Sequence, residues 1–359
     1  MDKCKELFEK ASDFYQKEGR MLPWRQNRDP YRVWLSEIML QQTRVEAVIP
    51  YFEKFLRLFP TVFDLARADE DTLFKAWEGL GYYSRARNLH KTARIIVKEY
   101  NGVFPNDLDA LLTLPGVGEY TAAAIGSVCF SIPRAAIDGN VLRIYARVFS
   151  DAKDISDTKV KKDIANLLNA AYPEGDAAGY TTQGLMEIGQ RFCIPNGEPK
   201  CDACPLHSLC DTQRSGEFAR YPFRKPKRAR KKLLKTVLLL HLSDDEGGAF
   251  LIRKREATGL LGGLWEFPSV DEHLSPDEAM EHARALGASP LAALPCGEGV
   301  HIFTHLEWHM RGVLIECAPP VPPHLTAATA KALKDHYPIA SAFRVFKDFA
   351  FRELNEEKG

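Results

Sequence analysis

Two stretches carry residues whose types and spacing suit chemistry: Leu114-Pro115-Gly116-Val117-Gly118-Glu119-Tyr120-Thr121 and, one small-residue helix later, Ile137-Asp138-Gly139-Asn140. Pro115 breaks the preceding helix, while Gly116 and Gly118 admit positive φ and leave no Cβ to block another backbone. Such a turn points amide N–H groups outward. The helix starting there adds unpaired N–H groups and its positive dipole end, which together suit a phosphate or a bridging cation. A Pro-Gly turn between packed helices has the same appearance. Asp138 then places a carboxylate one short helix beyond this phosphate-suited turn.

Two further groups could act. Glu37 lies in the otherwise apolar run Trp34-Leu35-Ser36-Glu37-Ile38-Met39-Leu40. A carboxyl so placed has a raised pKa and serves as a general acid near neutral pH; the alternative is a glutamate near a helix start that only favours the dipole. Cys193, Cys201, Cys204 and Cys210 are separated by seven, two and five residues. Four thiolates this close suit zinc or an iron–sulfur cube, with unligated buried thiols the third reading. Cys4, Cys129, Cys296 and Cys317 are scattered and read as reduced thiols.

The elements that must position these groups fall into two textures. At 359 residues the chain exceeds one ordinary domain, so two domains are expected, each able to bury a core. Helical apolar spacing marks Asp2 to Lys17, Tyr31 to Leu40, Thr43 to Phe59, Glu70 to Trp77, Ser84 to Tyr100, Tyr120 to Phe130, Val141 to Phe149 and Asp157 to Ala171. Beyond Cys210, the run Tyr221 to Lys232 carries two prolines and dense positive charge, which reads as a linker. Strand signals follow at Thr236 to Leu242, Ala249 to Arg253, Val300 to Leu306 and Trp308 to Glu316, with helices near Pro276 to Leu286 and Ala342 to Leu354.

Composition excludes little and orients much. Hydrophobic residues make up 45% and charged ones 27%, and the apolar run at Val237 to Leu240 is far too short to span a bilayer. No membrane partner is expected. The charged start Met1-Asp2-Lys3-Cys4-Lys5-Glu6 has no apolar h-region behind it, so neither export nor organellar transit is signalled and a bacterial cytoplasmic, nucleoid-associated location is expected. Lys plus Arg and Asp plus Glu balance at 48 each, yet basic residues cluster at Arg20, Arg25, Arg28 and Arg32, at Arg85 to Arg94, and at Arg224 to Lys235. That segregation leaves room for a basic stripe facing phosphates.

The hairpin and Asp138 resemble the helix-hairpin-helix and Gly/Pro-Asp signature of the DNA glycosylase superfamily. With Pro23-Trp24-Arg25, Leu35-Ser36-Glu37-Ile38-Met39-Leu40-Gln41-Gln42-Thr43 and Glu78-Gly79-Leu80-Gly81-Tyr82-Tyr83-Ser84-Arg85-Ala86-Arg87-Asn88, nearly the whole chain resembles MutY-type adenine DNA glycosylases. The resemblance implies a multidomain fold. Residues 1–212 would form an all-α glycosylase domain, with the hairpin at about 108–130 and an iron–sulfur loop at 193–210; residues 213–233 a basic linker; and 234–359 an α+β Nudix-like domain. It also decides the metal as one 4Fe-4S cluster on Cys193, Cys201, Cys204 and Cys210, structural in role, although the first interval is one residue longer than usual. Such an insertion costs a loop little entropy.

The chemistry implied is hydrolysis of an N-glycosidic bond in duplex DNA, adenine opposite 8-oxoguanine or guanine being the target. Glu37 would protonate the departing base, and Asp138 would stabilise the positive sugar, electrostatically or through a transient bond. Asn140 and Glu187 would orient groups or water, Arg20 would contact the flipped adenine, Gln42 and Tyr82 would fill the vacated stack, and Gly116 and Gly118 would hold the backbone. Tyr120 stands where endonuclease III-type relatives place a Schiff-base lysine, so the enzyme is expected to leave an abasic site without cutting the strand.

Gly262-Gly263-Leu264-Trp265-Glu266-Phe267-Pro268 resembles the opening of a Nudix fold of the MutT kind. The region Asp277 to Leu286 lacks the expected array of metal-binding glutamates, so pyrophosphate hydrolysis is not expected. Phe303-Thr304-His305 matches the family's 8-oxoguanine-recognising loop, with Thr304 where serine is common; otherwise it reads as a strand end. The rivals are an endonuclease III-type glycosylase and lyase for oxidised pyrimidines, a non-catalytic iron–sulfur damage sensor, and a Nudix hydrolase with a helical appendage. A monomer is expected, and contacts with a processivity clamp or mismatch-repair protein are not legible.

Overall fold

The computed structural model describes residues 1–225, 229–243 and 248–356, with backbone alone at 355–356. Pro226, Lys227 and Arg228 of the expected linker lie outside the described residues. Contacts divide the chain into two compact units, Met1–Ala68 with Arg87–Lys227, and Asp69–Ala86 with Arg228–Gly359.

The first half of the chain is helical: α1 (Asp2–Glu18), α2 (Pro30–Leu40), α3 (Val45–Leu58), α4 (Val62–Arg67), α5 (Glu70–Trp77), α6 (Ser84–Tyr100), α7 (Leu108–Thr113), α8 (Glu119–Phe130), α9 (Gly139–Val148), α10 (Thr158–Asn169), α11 (Asp176–Arg191) and α12 (Asp211–Ser215). Side chains set where several begin. Asp29, Thr61, Asp107, Asp138 and Asp157 each accept a first-turn N–H, and Pro30 occupies the first turn of α2. In the first unit α8 is buried from Thr121 through Val128, and most of those residues are small, which lets its neighbours pack closely on every side. Leu7, Phe8, Ala11 and Phe14 of α1 share a hydrophobic core with Leu185 and Ile188 of α11. A side chain the size of Phe8, fully buried, contributes roughly 1.5–3 kcal/mol.

The second unit is a mixed sheet with helices. Its strands are β1 (Lys231–Leu242), β2 (Ala249–Lys254), β3 (Trp265–Glu266), β4 (Ser269–Val270), β5 (Ser289–Ile302), β6 (Leu306–Ala318) and β7 (Thr326–Ala328), ordered β3-β2-β1-β6-β5 with β4 on β1 and β7 on β2. β1 runs parallel to β6, and β5 antiparallel to β6. Helices α13 (Pro276–Ala285), α14 (Ala330–Asp335) and α15 (Arg344–Glu356) complete the unit. Ala279 and Ala283 of α13 pack on Leu238, Leu240, Val313 and Ile315.

Three sequence expectations change here. Lys231 to Leu233, read as linker, form the start of β1 and pair with Leu306 to Trp308. The strand read at Val300 to Leu306 crosses a turn; the true strand starts at Ser289, hidden by Pro290, Pro295, Gly297 and Gly299, which are tolerated because β5 is an edge strand with two register shifts. Residues 69–86 join the second unit instead of the first.

Candidate active site

A cavity of about 1030 Å³ in the first unit is lined by Arg20, Glu37, Gln42, Gly116, Gly118, Tyr120, Asp138 and Asn140, among others. The backbone explains their convergence. Glu37 lies in the last turns of α2, Tyr120 in the first turn of α8, and Asp138 caps α9. Glu37 is only 5% exposed, and the Tyr120 hydroxyl donates to its Oε2 at 2.6 Å. Burial lifts the Glu37 carboxyl to about 7; the Tyr120 hydrogen bond and Arg25 pull it down while the charge of Asp138 pushes it up. Met186 Sδ lies 3.9 Å from the same hydroxyl.

Asp138 is held from three directions. Its Oδ1 accepts the N–H groups of Asn140 and Val141, each at 2.8 Å, and its Oδ2 accepts the Asn140 amide at 2.6 Å. Burial raises its pKa, and the hydrogen bonds from Val141 and Asn140 and the Arg143 charge oppose that rise. Asn140 is fixed in turn by Arg143, whose Nη2 donates to Asn140 Oδ1 and to the Gly189 carbonyl at 2.8 Å each. Gly189 permits this approach, since a Cβ there would stand 2.5 Å from Asn140 Cβ.

Glu187 has no place among the residues lining the cavity. Fully buried, it accepts Arg20 Nε at 3.0 and 2.8 Å and Arg25 Nη1 at 2.7 Å, and these guanidiniums outweigh burial to hold its pKa below the ordinary value. It orients Arg20, which does line the cavity and also donates to Gln190 Oε1 at 2.5 Å. Arg25 and Arg143 were not singled out from the sequence as site residues. An arginine inside the apolar run Val141-Leu142-Arg143-Ile144 was the available signal, because a buried guanidinium demands acceptors.

The hairpin differs from expectation at one glycine. Gly116 has φ +77 and a Cβ there would meet Asn88 Cβ at 2.8 Å, whereas Gly118 has φ −93 and a Cβ would meet nothing within 4 Å. Gly118 is the N-cap of α8, with no side chain capping the helix, so its first-turn N–H groups stay available. Gln42 is exposed at φ +59. Non-glycine residues held in this region concentrate at functional sites.

In the second unit, Phe303-Thr304-His305 form the turn joining β5 to β6, closed by Phe303 N–H donating to the Leu306 carbonyl at 2.8 Å. The Phe303 ring packs edge-on against Trp308 at 4.8 Å and His301 at 4.6 Å, while Thr304 and His305 are exposed. In α13, Glu278 is taken up in a capping box with Ser275, and Glu281 pairs with Arg284.

Cys193, Cys201, Cys204 and Cys210 line one cavity together with Arg147, and none is in a disulfide. Arg147 Nη1 donates to Cys193 Sγ at 3.3 Å, and Arg143 Nε donates to the Cys193 carbonyl at 2.6 Å. Burial pushes the Cys204 thiol up to about 12, and the three neighbouring cysteines add to the rise. Thiols in that state become thiolates when a bound metal supplies the compensating charge. Among the described residues, no group of three or more His, Cys, Asp and Glu side chains is drawn together as for a single metal ion.

Fold and site together define a base-excision DNA glycosylase of the helix-hairpin-helix type joined to a Nudix domain. Residues 35–170 match the family described as HhH-GPD superfamily base excision DNA repair protein, and residues 238–348 match the NUDIX domain. The chain belongs to the adenine DNA glycosylase family. It is 33% identical over 304 residues to the adenine DNA glycosylase of Buchnera aphidicola subsp. Acyrthosiphon pisum, covering 84% of each chain. To the adenine DNA glycosylase of Homo sapiens it is 32% identical, covering 93% of this chain and 72% of the relative. Among solved structures, a thermostable thymine-DNA glycosylase aligns with TM-score 0.53 and 28% identity, over 60% of this chain and 98% of that one.

Proposed function

We propose that this enzyme flips adenine out of duplex DNA, from pairs with 8-oxoguanine or guanine, and hydrolyses its N-glycosidic bond, acting as a monomer. The observation that carries the reading is the pairing of Glu37, held at about pKa 7, with Asp138 in one cavity. At neutral pH a substantial share of Glu37 is protonated and able to donate to a ring nitrogen of adenine. As the bond from the sugar to the base breaks, its electron pair leaves with the protonated base. Asp138, an anion fixed by Asn140 and two backbone N–H groups, stabilises the positive charge developing on the sugar. Water then adds to the sugar carbon and gives up a proton, leaving an abasic site.

Tyr120 supports a reaction that stops there. Its phenol forms no imine with the sugar, and its hydroxyl is engaged with Glu37. Gly116, the first-turn N–H groups of α8 beyond Gly118, Gln42 and Tyr82 would grip and distort the duplex, and Phe303, Thr304 and His305 would read the 8-oxoguanine. Cys193, Cys201, Cys204 and Cys210 fit one 4Fe-4S cluster: four thiols around a single cavity, with the buried guanidiniums of Arg143 and Arg147 to balance an anionic group. When bound, that cluster supplies structural cross-linking of the loop.

The test is a single-turnover assay on duplexes with adenine opposite 8-oxoguanine, adenine opposite guanine, or thymine glycol, read with and without alkali, alongside iron and sulfide analysis. Adenine release that yields strand breaks only after alkali is expected, with four irons per chain. Equal cutting without alkali would instead favour the endonuclease III-type lyase.

A further inference from the structure

In the second unit, Tyr82 occupies a strained turn. Its φ is +47, it follows Gly81 at φ +70, and it is 47% exposed. A tyrosine stays in the left-handed region only where its surroundings over-determine it. Here they do: Trp77 Nε1 donates to the Gly81 carbonyl at 3.0 Å, and Arg85 Nη2 donates to the carbonyls of Leu80 and Gly81 at 2.9 and 3.2 Å. The Arg85 guanidinium also lies over the rings of Trp77 and Tyr82, at 5.3 and 5.7 Å from their centroids.

This turn begins at Glu78, the residue that ends α5. Two lysines grip the Glu78 carboxylate. Lys75 Nζ lies 2.8 Å from Oε2, and Lys347 Nζ, from α15 far along the chain, lies 2.5 Å from Oε1. Lys75 also donates to the carbonyls of Leu333 and Tyr337, at 3.1 and 3.4 Å. The three side chains are largely screened from water, at 17%, 22% and 15% exposure, so these ion pairs escape much of the weakening that solvent imposes on surface pairs. A third pair, Lys254 with Asp71 at 2.7 Å, ties the start of α5 to β2.

We propose that Lys347 is a positioning residue for Tyr82: through Glu78 it sets the end of α5, and hence the turn that presents the Tyr82 ring to the DNA stack. Recognition of the mispair then depends on a helix near the C-terminus that itself touches no base. The inference rests on the reading of Tyr82 as the residue that enters the stack.

A duplex carrying 2-aminopurine beside the 8-oxoguanine tests both, because unstacking by an inserted ring raises the fluorescence of that base. Tyr82→Ala should abolish the rise on binding and weaken affinity roughly ten-fold. Lys347→Met, compared at matched folded fraction, should lose most of the rise and a similar share of affinity, and Glu78→Gln should reproduce the loss from the other side. Lys347→Arg should restore it. Combined with Tyr82→Ala, Lys347→Met should weaken binding no further. A full fluorescence rise in Lys347→Met, or losses that add to those of Tyr82→Ala, would overturn the proposal while leaving Tyr82 in its role. An undiminished rise in Tyr82→Ala would remove the reading of Tyr82 itself, and the proposal with it.

Discussion

The Tyr120 hydroxyl donates to Glu37 Oε2 at 2.6 Å, so the residue whose phenol forms no imine also tunes the carboxyl proposed as the acid. Donation to the carboxylate favours the ionised form and holds Glu37 at about 7, against the upward push of burial. Excision at saturating enzyme should follow a bell in pH. The alkaline limb falls through about 7 as Glu37 loses its proton, and the acid limb lies higher than an ordinary aspartate would set it because burial raises Asp138. Tyr120→Phe should move the alkaline limb upward by about one to two pH units, the worth of a charge-assisted hydrogen bond. An unmoved limb would mean that another group sets it.

Glu37→Gln should release no adenine, keep its affinity for the mispaired duplex, and fold more stably. The folded pKa of about 7 lies above the unfolded value of about 4.3, so the folded state holds its proton more tightly. Below about pH 4 both states are protonated and burial of the carboxyl as an ion costs nothing. The cost grows between the two values and is fully present above 7, where it amounts to about 4 kcal/mol. Denaturant midpoints should therefore separate in favour of Glu37→Gln above pH 7 and converge as pH falls toward 4. A constant separation across that range would show that the acid does not carry the shifted pKa.

Asp138→Asn separates the cap from the charge. The asparagine oxygen still accepts the N–H groups that Asp138 takes from Asn140 and Val141, so α9 should keep its start, but the new amide nitrogen faces the Asn140 amide that Oδ2 accepted, and stability should fall by about 1–3 kcal/mol. The excision rate should fall by at least about 10²-fold, because the anion facing the sugar is gone. Retained rate with lost stability would make Asp138 a cap and nothing more.

The two hairpin glycines should part company. Gly116→Ala forces a side chain into φ +77 and against Asn88, and should destabilise the fold by about 1–3 kcal/mol. Gly118→Ala meets open space at ordinary φ, so its melting midpoint should stay close to that of the unaltered protein. If the missing Cβ at Gly118 serves close approach of a DNA backbone, affinity for duplex should fall there without any loss of stability.

Much of this site was legible because its residues announce themselves locally. Asp138 follows a hairpin with punctuating glycines, and Glu37 interrupts an apolar run. What stayed hidden is what tertiary packing decides. Nothing near Glu187 in sequence shows that Arg20 and Arg25 fold onto it. The long edge strand β5 was masked by Pro290 and Pro295, which propensity counts against a strand and which an edge tolerates. Residues 69–86 belong to the second unit through contacts between groups remote along the chain, the Glu78–Lys347 ion pair among them, which no local pattern records.

Arg143 offers the severest test of how the first unit is held together. Its guanidinium donates to Cys193 O, Gly139 O, Asn140 Oδ1 and Gly189 O, joining the cysteine loop to the residue that braces Asp138. It is only 4% exposed, so Arg143→Met would strand several acceptors away from water. Each stranded acceptor costs about 1–3 kcal/mol, so a loss of at least about 3 kcal/mol is expected in denaturant titration. Arg143→Lys keeps the charge but not the planar fork, and should retain only part of the stability. Excision should drop in both variants because Asn140 loses its brace, and iron content should fall in Arg143→Met because Cys193 does as well. Full activity in a folded Arg143→Met protein would show that Asn140 and Asp138 hold their geometry without it.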